Sequence, residues 1–506
     1  MTATELDQAG ASAGDRDRGR CAHERGAILD SRFFADGYST PASRRIFCDV
    51  CRMQRWLEVE AALALSEAEV GLIPESAAQH IATSARIELI DLQEVQDGVR
   101  RTNHSLVSLL SGLEKACPGS SGQFVHYGAT TQDIQDTAQA LEMREVLEHV
   151  ERELRSLAAA AVELAEAHRE TLMIGRTHAR PALPTTFGLK AASWVDELGR
   201  HGERLAALAP RVLVAELHGG VGTMASFDGR GPALLERFAR RLLLGTPPMG
   251  WHVSRDRVAE YLSTLAMLTA TLARIADEIR TLGRPEFGEV SEGWRYGQVG
   301  SSTMPHKRNP ETCEQVVVLA RLVKGCAALG LDGMVQEHER DSRGLRLEWV
   351  AVADASHHTL AALAILGPLL AGLEVHEAHM ASEAHEAAEQ ICSEALMLAL
   401  GRRFGKQRAH ALVYEVSQRA QGEGRSLREV LERRPDLTHQ LDAGELDSIF
   451  DPRRYLGSAG ELVDQVTACA RRWLEAPPIT AGTSVAPPEV AQEQHDDPEH
   501  SRSRSR

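Results

Sequence analysis

The stretch Gly300-Ser-Ser-Thr-Met-Pro-His-Lys-Arg-Asn-Pro310 sets two hydroxyls, a lysine and an amide on a segment with no apolar periodicity. Asn309, Pro310 and Glu311 read as the cap and first turn of the helix begun by EQVVVLARLV. Ser301, Ser302, Lys307 and Asn309 are then carried to the positive end of a helix dipole, where anionic groups are held. Gly297 and Gly300 would let this segment move as a lid. Two other polar loops look complementary. His126-Tyr-Gly-Ala-Thr-Thr-Gln-Asp133 brings Thr130 and Thr131 to the start of a long helix, as a second anion site or as ordinary capping threonines. Gly175-Arg-Thr-His-Ala-Arg-Pro-Ala-Leu-Pro184 presents His178 between Arg176 and Arg180, in a segment that two prolines keep out of helix. A histidine there serves as a general acid or base if a carboxylate orients it.

The elements that must position these loops are helices. Aromatics are only 4% of the 506 residues while Ala, Leu, Glu and Arg recur, which favours helices packed through aliphatic seams and few strands. RRIFCDVCRMQRWLEVEAALALSEAEVGLIP has helical spacing up to Gly71 and Pro74, and the next helix runs through DLQEVQDGVRRTNHSLVSLLSGLEKA. A helix from Asp133 to about Arg169 carries Met143, Val146, Leu147, Val150, Leu154, Leu157 and Leu164 as a stripe. Further long helices are expected over 185–209, 253–282, 310–330 and 346–373. Together they predict an all-α chain with a central long-helix bundle over 129–373, a helical N-terminal domain over 28–128 and a smaller C-terminal helical domain over 374–475. The tails, 1–27 and 476–506, are too polar to offset ordering entropy and are expected to be disordered.

The formal charge of −16 repels phosphate backbones, and the terminal SRSRSR follows acidic QEQHDDPEH, so no nucleic-acid partner is expected. Eight cysteines without metal-ligand spacing suggest reduced thiols, and Cys48-x-x-Cys51 reads as a packed pair one turn apart on a helix. No signal segment or membrane span is expected, nor any metal or cofactor; the expected location is cytoplasmic.

GSSTMPHKRNP resembles the signature loop of the fumarase/aspartase superfamily, GSSxMPxKxN, and the resemblance extends over residues 33–470. It implies three mainly helical domains and a homotetramer in which three subunits share each active site around a small dicarboxylate substrate. Carried over residue by residue, it implies that Ser301 removes a proton from the carbon next to a carboxylate, with Ser302 a substrate ligand and the fallback base. Lys307 and Asn309 match ligands of the substrate carboxylate, Thr130 and Thr131 match the paired hydroxyls of the first loop, and His178 with Glu314 matches a histidine–carboxylate pair. The set suits the chemistry. A proton alpha to a carboxylate is very weakly acidic, so the dianionic aci-carboxylate needs donors and cations already in place.

Within the superfamily, STPASRRIF, HYGATTQD and LPTTFGLKAASWVDELGRH are similar to 3-carboxy-cis,cis-muconate cycloisomerases, as is the spacing from His338 to Glu348-Trp349. The His178–Glu314 pair and a Thr102-x-His104 segment, read as substrate-binding, resemble adenylosuccinate lyases instead. Where those lyases grip nucleotide phosphate with a serine-rich stretch, this chain reads ERDSRGLRLEW, with Leu345, Arg346 and Trp349. Arg180 stands where relatives generally have glutamine and suits an anionic leaving group. The combination is most similar to the nitrosuccinate lyase branch, which implies elimination of nitrite from nitrosuccinate to give fumarate. Adenylosuccinate lyase and muconate cycloisomerase are the alternative enzymes, and a crystallin-like structural protein is the non-enzymatic one.

Overall fold

The computed structural model describes residues 26–478 apart from Arg295, His439, Gln440 and Asp442; nearly all of both expected disordered tails lies outside the described residues. The expected helices form, and five of them make the centre. These are α6 (Thr131–Ala167), α7 (Phe187–Val212), α9 (Asp256–Leu282), α10 (Glu311–Asp332) and α11 (Ser342–Ala371). The apolar stripe of α6 is buried along its length, from Met143 through Val150 to Leu164, and at about 1.5 Å per residue this helix runs on the order of 55 Å. Helix α11 packs on α6, α9 and α10, and α9 also packs on α7 and α10.

Before this bundle come α1 (Pro41–Phe47), α2 (Asp49–Glu69), α3 (Glu75–Ser84), α4 (Leu92–Thr102) and α5 (Ser105–Ala116). Each of the two helices expected in this region is therefore broken in two. The first break is at Cys48, whose extended backbone ends α1 and whose Sγ accepts the Cys51 N–H at the start of α2. The second is at Asn103, in the left-handed region at φ 54°, followed by His104, whose Nδ1 caps α5 by accepting the Val107 N–H at 3.3 Å. The ion pairs of Arg52 with Glu142 and of Arg55 with Glu145 dock α2 against α6.

The segment carrying His178 is a two-stranded antiparallel hairpin, β1 (Leu172–Thr177) and β2 (Arg180–Thr186), rather than an irregular loop. Pro181 and Pro184 are tolerated because β2 has no second neighbour needing their missing N–H groups. A second pair, β3 (Val290–Ser291) with β4 (Glu374–Val375), ties the chain before the signature loop to the end of the bundle.

Beyond β4, short helices including α14 (Ser393–Phe404) and α15 (Lys406–Glu423), counted after α12 (Glu377–Glu386) and α13 (Ala388–Ile391), enclose a separate small core of Leu396, Leu400, Val413, Val416 and Leu431. The last helix, Ala459–Glu475, returns to the main core through Val463 and Ala470. No charged residue lies between Asp354 and Glu374, so α11 is long and apolar enough by composition to cross a membrane. Its 18-residue apolar window is 67% buried inside the bundle, which is the environment of a core helix.

Candidate active site

At the N-terminus of α6, Thr130 donates its backbone N–H to Asp133 Oδ2 at 2.9 Å, and its hydroxyl accepts from Arg340 Nη1 at 2.6 Å. Arg340 also donates to the Gly219 and Gly220 carbonyls, which fixes its guanidinium over the helix start. Thr131 lines a cleft of about 260 Å³ together with His104, Arg340, Leu345, Arg346 and Trp349. The helix break at Asn103 is what brings His104 to this cleft. Thr102 lies beside it, but its hydroxyl is spent on the turn, donating to the Gly98 carbonyl and accepting the His104 N–H. The first loop is held from behind as well: His126 Nδ1 is 2.7 Å from Glu60 Oε1, and Ser226 Oγ donates to the Gly128 carbonyl at 2.6 Å. Burial opposes the charged His126 imidazole, yet the Glu60 carboxylate outweighs it and raises the pKa. Nearby Glu67, fully buried and repelled by Glu60, is pushed up to about 9 and is protonated at neutral pH.

Beneath the cleft lies a buried polar network that sequence reasoning missed. Asp133 accepts four donors: the Thr130, His218 and Gly219 N–H groups and His252 Nε2 at 2.8 Å. Glu216 bonds His218 Nδ1 at 2.6 Å and the Trp251 N–H. Arg255, fully buried, is held between Asp136 and Glu348. Burial works against charge at both His252 and Asp133, but their contact wins, raising the first pKa and lowering the second. Asp133, Glu216 and His252 have ligand atoms within 4.8 Å of one another, as a metal triad would. Both Asp133 oxygens are already taken by N–H donors, so the donor set fits a buried ion pair that locks the 216–219 loop to α6. The available signal was the cluster of Gln132, Asp133, Gln135, Asp136 and Gln139, all buried, at the start of a helix whose later buried positions are mostly apolar.

The signature loop sits apart. Ser301 is half-buried and its Oγ accepts two backbone N–H groups, from Thr303 at 3.3 Å and Met304 at 3.1 Å. Ser302, Lys307 and Arg308 are exposed. Arg308 stacks on Trp294, 5.0 Å from the ring centroid. Gly300 closes the loop on itself: a Cβ there would meet the Lys307 carbonyl oxygen at 2.5 Å and Arg308 Cα at 2.9 Å. Helix α10 starts at Glu311 with Pro310 in the capping position and no side-chain cap, so Asn309 does not cap it as the sequence suggested. Pro310 occupies the cap at φ −80° and ψ 55°, leaving the half-buried Asn309 one residue farther out.

His178 stands at the tip of the β1–β2 hairpin, in a two-residue turn where both His178 (φ 49°) and Ala179 (φ 61°) are left-handed. His178 and Arg180 are exposed, and so is Glu314 on the first turn of α10. The hairpin is anchored below its tip by Arg176, which reaches buried Glu289 with two hydrogen bonds of 3.0 and 2.8 Å and lies over Phe287. Among the described residues no hydrogen bond or ion pair joins His178 to Glu314, or either to Ser301 or Thr130. The cleft residues are thus assembled within one chain, while the hairpin tip and the signature loop project from it.

A family model described as "Lyase" matches residues 37–325, and one described as "Adenylosuccinate lyase C-terminus" matches residues 389–466. The chain belongs to the fumarase/aspartase superfamily of lyases. Among superfamily members, it is 39% identical over 439 residues to the N-acetyl-S-(2-succino)cysteine lyase of Dickeya dadantii, covering 87% of this chain and 96% of that one. It is 35% identical to the adenylosuccinate lyase of Methanocaldococcus jannaschii, covering 85% and 94% respectively. The crystal structure of 3-carboxy-cis,cis-muconate lactonizing enzyme from Pseudomonas putida superposes with a TM-score of 0.80 at 34% identity, over 87% of this chain and 99% of that one. The superfamily fold, mainly helical with a long-helix centre, is the one the sequence resemblance implied.

Proposed function

We propose that the chain eliminates a C2 substituent from a small substituted succinate to give fumarate, with Ser301 as the base. One observation carries this reading: Ser301 Oγ already accepts two backbone N–H groups. Donors aimed at an oxygen stabilise its anionic form more than its neutral form, which is what a serine base requires. Ser302 has no such donors among the described hydrogen bonds. The alkoxide takes the C3 proton, the electron pair enters the adjacent carboxylate as an aci-carboxylate, and collapse to the alkene expels the C2 substituent. Lys307, Asn309 and the start of α10 hold one carboxylate; Thr130, Thr131 and Arg340 at the start of α6 hold the other. His178, oriented by Glu314, protonates or steadies the leaving group.

That assignment asks for residues from more than one subunit. His178 and Glu314 are exposed on a single chain and the half-buried Ser301 lies in an exposed loop, which supports a homotetramer with sites shared among three subunits.

For the leaving group, nitrite is our first reading: exposed Arg180, two residues from His178, supplies a fixed charge for the nitro oxygens, and so weak a base needs little help from an acid. The second reading is a thiolate expelled from a thioether substrate, by likeness to the N-acetyl-S-(2-succino)cysteine lyases. The cleft beside Thr131 favours it, because Leu345 and Trp349 offer apolar surface and Arg346 a cation for an acylated amino acid. Incubating the protein separately with nitrosuccinate, N-acetyl-S-(2-succino)cysteine and adenylosuccinate while following fumarate, and with 3-carboxy-cis,cis-muconate while following loss of its diene absorbance, separates these. Fumarate from the thioether alone would overturn nitrite, and fumarate from no succinate would overturn the elimination itself.

A further inference from the structure

The cysteines divide sharply by environment. Cys117, Cys313, Cys326 and Cys392 are buried, whereas Cys48 and Cys469 are exposed and Cys51 is half-buried behind Cys48. Cys48 is not inside a helix, as its spacing from Cys51 suggested. It is the single residue between α1 and α2, extended at φ −67° and ψ 148°, and its Sγ accepts the Cys51 N–H at 3.3 Å. A thiol at this position faces the unpaired N–H groups and the positive dipole end of a 21-residue helix.

A helix start and one sulfur would explain only a cap. The second observation is the other thiol: Cys51 lies one turn in, half-buried, with its backbone N–H on Cys48 Sγ. The neighbouring Cys48 sulfur and burial push the Cys51 thiol up, while the positive charges of Arg55 and Arg45 oppose this. Cys51 is thus the shielded thiol of the pair and Cys48 the exposed one. An exposed thiol at a helix start with a shielded thiol three residues on is the arrangement of an attacking and a resolving cysteine.

We infer that Cys48 and Cys51 form a reversible thiol–disulfide exchange site for low-molecular-weight disulfides. Cys48 thiolate attacks a disulfide RSSR, forming the Cys48–SR mixed disulfide and releasing RS⁻. Cys51 loses its proton to solvent and its sulfur attacks Cys48 Sγ, releasing the second RS⁻ and closing the Cys48–Cys51 bond. The protein dithiol is oxidised by two electrons and RSSR is reduced to two thiols; excess thiol reverses both steps. Neither cysteine lines the cleft or the signature loop, so this inference stands apart from the lyase reading.

The test uses the full chain in glutathione buffers of graded disulfide-to-thiol ratio, quenched with acid, alkylated and mapped by mass spectrometry. The expected result is loss of two hydrogens confined to the peptide holding Cys48 and Cys51, reversed by excess glutathione. Cys51→Ser should trap glutathione on Cys48, and Cys48→Ser should leave Cys51 unmodified. Serine is itself a good cap, so the Cys48 variant keeps the helix start. Alkylation of Cys48 at neutral pH should outpace that of exposed Cys469 by about tenfold. Glutathione appearing on Cys469 as fast as on Cys48, or no Cys48–Cys51 bond at any ratio, would overturn the inference and leave Cys48 as a cap only.

Discussion

Thr130 at the mouth of α6 is fixed by Asp133, by Arg340 and, through its loop, by Glu60 and Ser226; Ser301 is fixed only by two N–H groups of its own loop. The first half of the site rests on buried charge, with Asp133, Asp136, Arg255 and Glu348 all excluded from solvent. The second half is a glycine-closed loop and a hairpin tip, both exposed. A carboxylate grip gains from being rigid before substrate arrives, because less order remains to be imposed on binding. A base that must lose its water before it reacts gains from being delivered last. The difference suggests a division in which one half recognises and the other performs chemistry.

The largest effect should come from the chemical half. Ser301→Ala is expected to lower turnover by about 10²- to 10⁴-fold, while fumarate affinity, measured by calorimetry, changes little. Ser302→Ala should cost far less. The reverse ranking would move the base by one residue and remove the two-donor argument.

Next comes a subunit-mixing experiment. Ser301→Ala and His178→Ala, each nearly inactive, should regain up to about a quarter of native activity when dissociated and reassembled together, since random mixing restores both residues in one site in four. No recovery would mean that loop and hairpin of one chain serve the same site.

Arg180→Gln should lower kcat/KM for nitrosuccinate by about ten- to a hundredfold, the worth of a charge-assisted hydrogen bond, with fumarate binding unchanged. Equal weakening of fumarate would give Arg180 a structural role between subunits.

The smallest effect probes the rigid half. His126 has a raised pKa through Glu60, so the pair stabilises the fold in full below about pH 6.5, where the histidine would be protonated even when unfolded. The stabilisation is lost as pH rises through the raised folded pKa. His126→Asn, which tolerates the φ of 58°, should therefore lower Tm most in that acidic window and progressively less above it. A Tm deficit independent of pH would mean that protonation of His126 contributes nothing to it.

The sequence made the long helices and the signature loop legible because both are local patterns: apolar spacing in one case, a rigid string of residue types in the other. It hid the breaks at Cys48 and Asn103–His104, because the caps there are a thiol and an imidazole rather than the usual Ser, Thr, Asp or Asn. The missed break at Cys48 also hid an exposed thiol behind an expectation of packing. The Asp133 network was hidden for another reason. Its partners Glu216, His252, Arg255 and Glu348 come from distant parts of the chain, and nothing local distinguishes them from solvated charges. Thr130 and Thr131 were legible at the start of a long helix and His104 from resemblance; Thr131 and His104 line one cleft with Arg340, which also holds Thr130, whereas the Thr102 hydroxyl serves the turn.

The uncharged run of α11 has a consequence for how the chain is made. While it emerges from a ribosome, this helix offers the length and hydropathy of a membrane span. Its packing partners in the bundle, α6, α9 and α10, all precede it in the chain and have already been synthesised. With synthesis at about 5–20 residues per second, the two preceding helices have seconds to form a receiving groove. The order of the helices along the chain thus gives the most apolar segment a protein surface to join as soon as it appears.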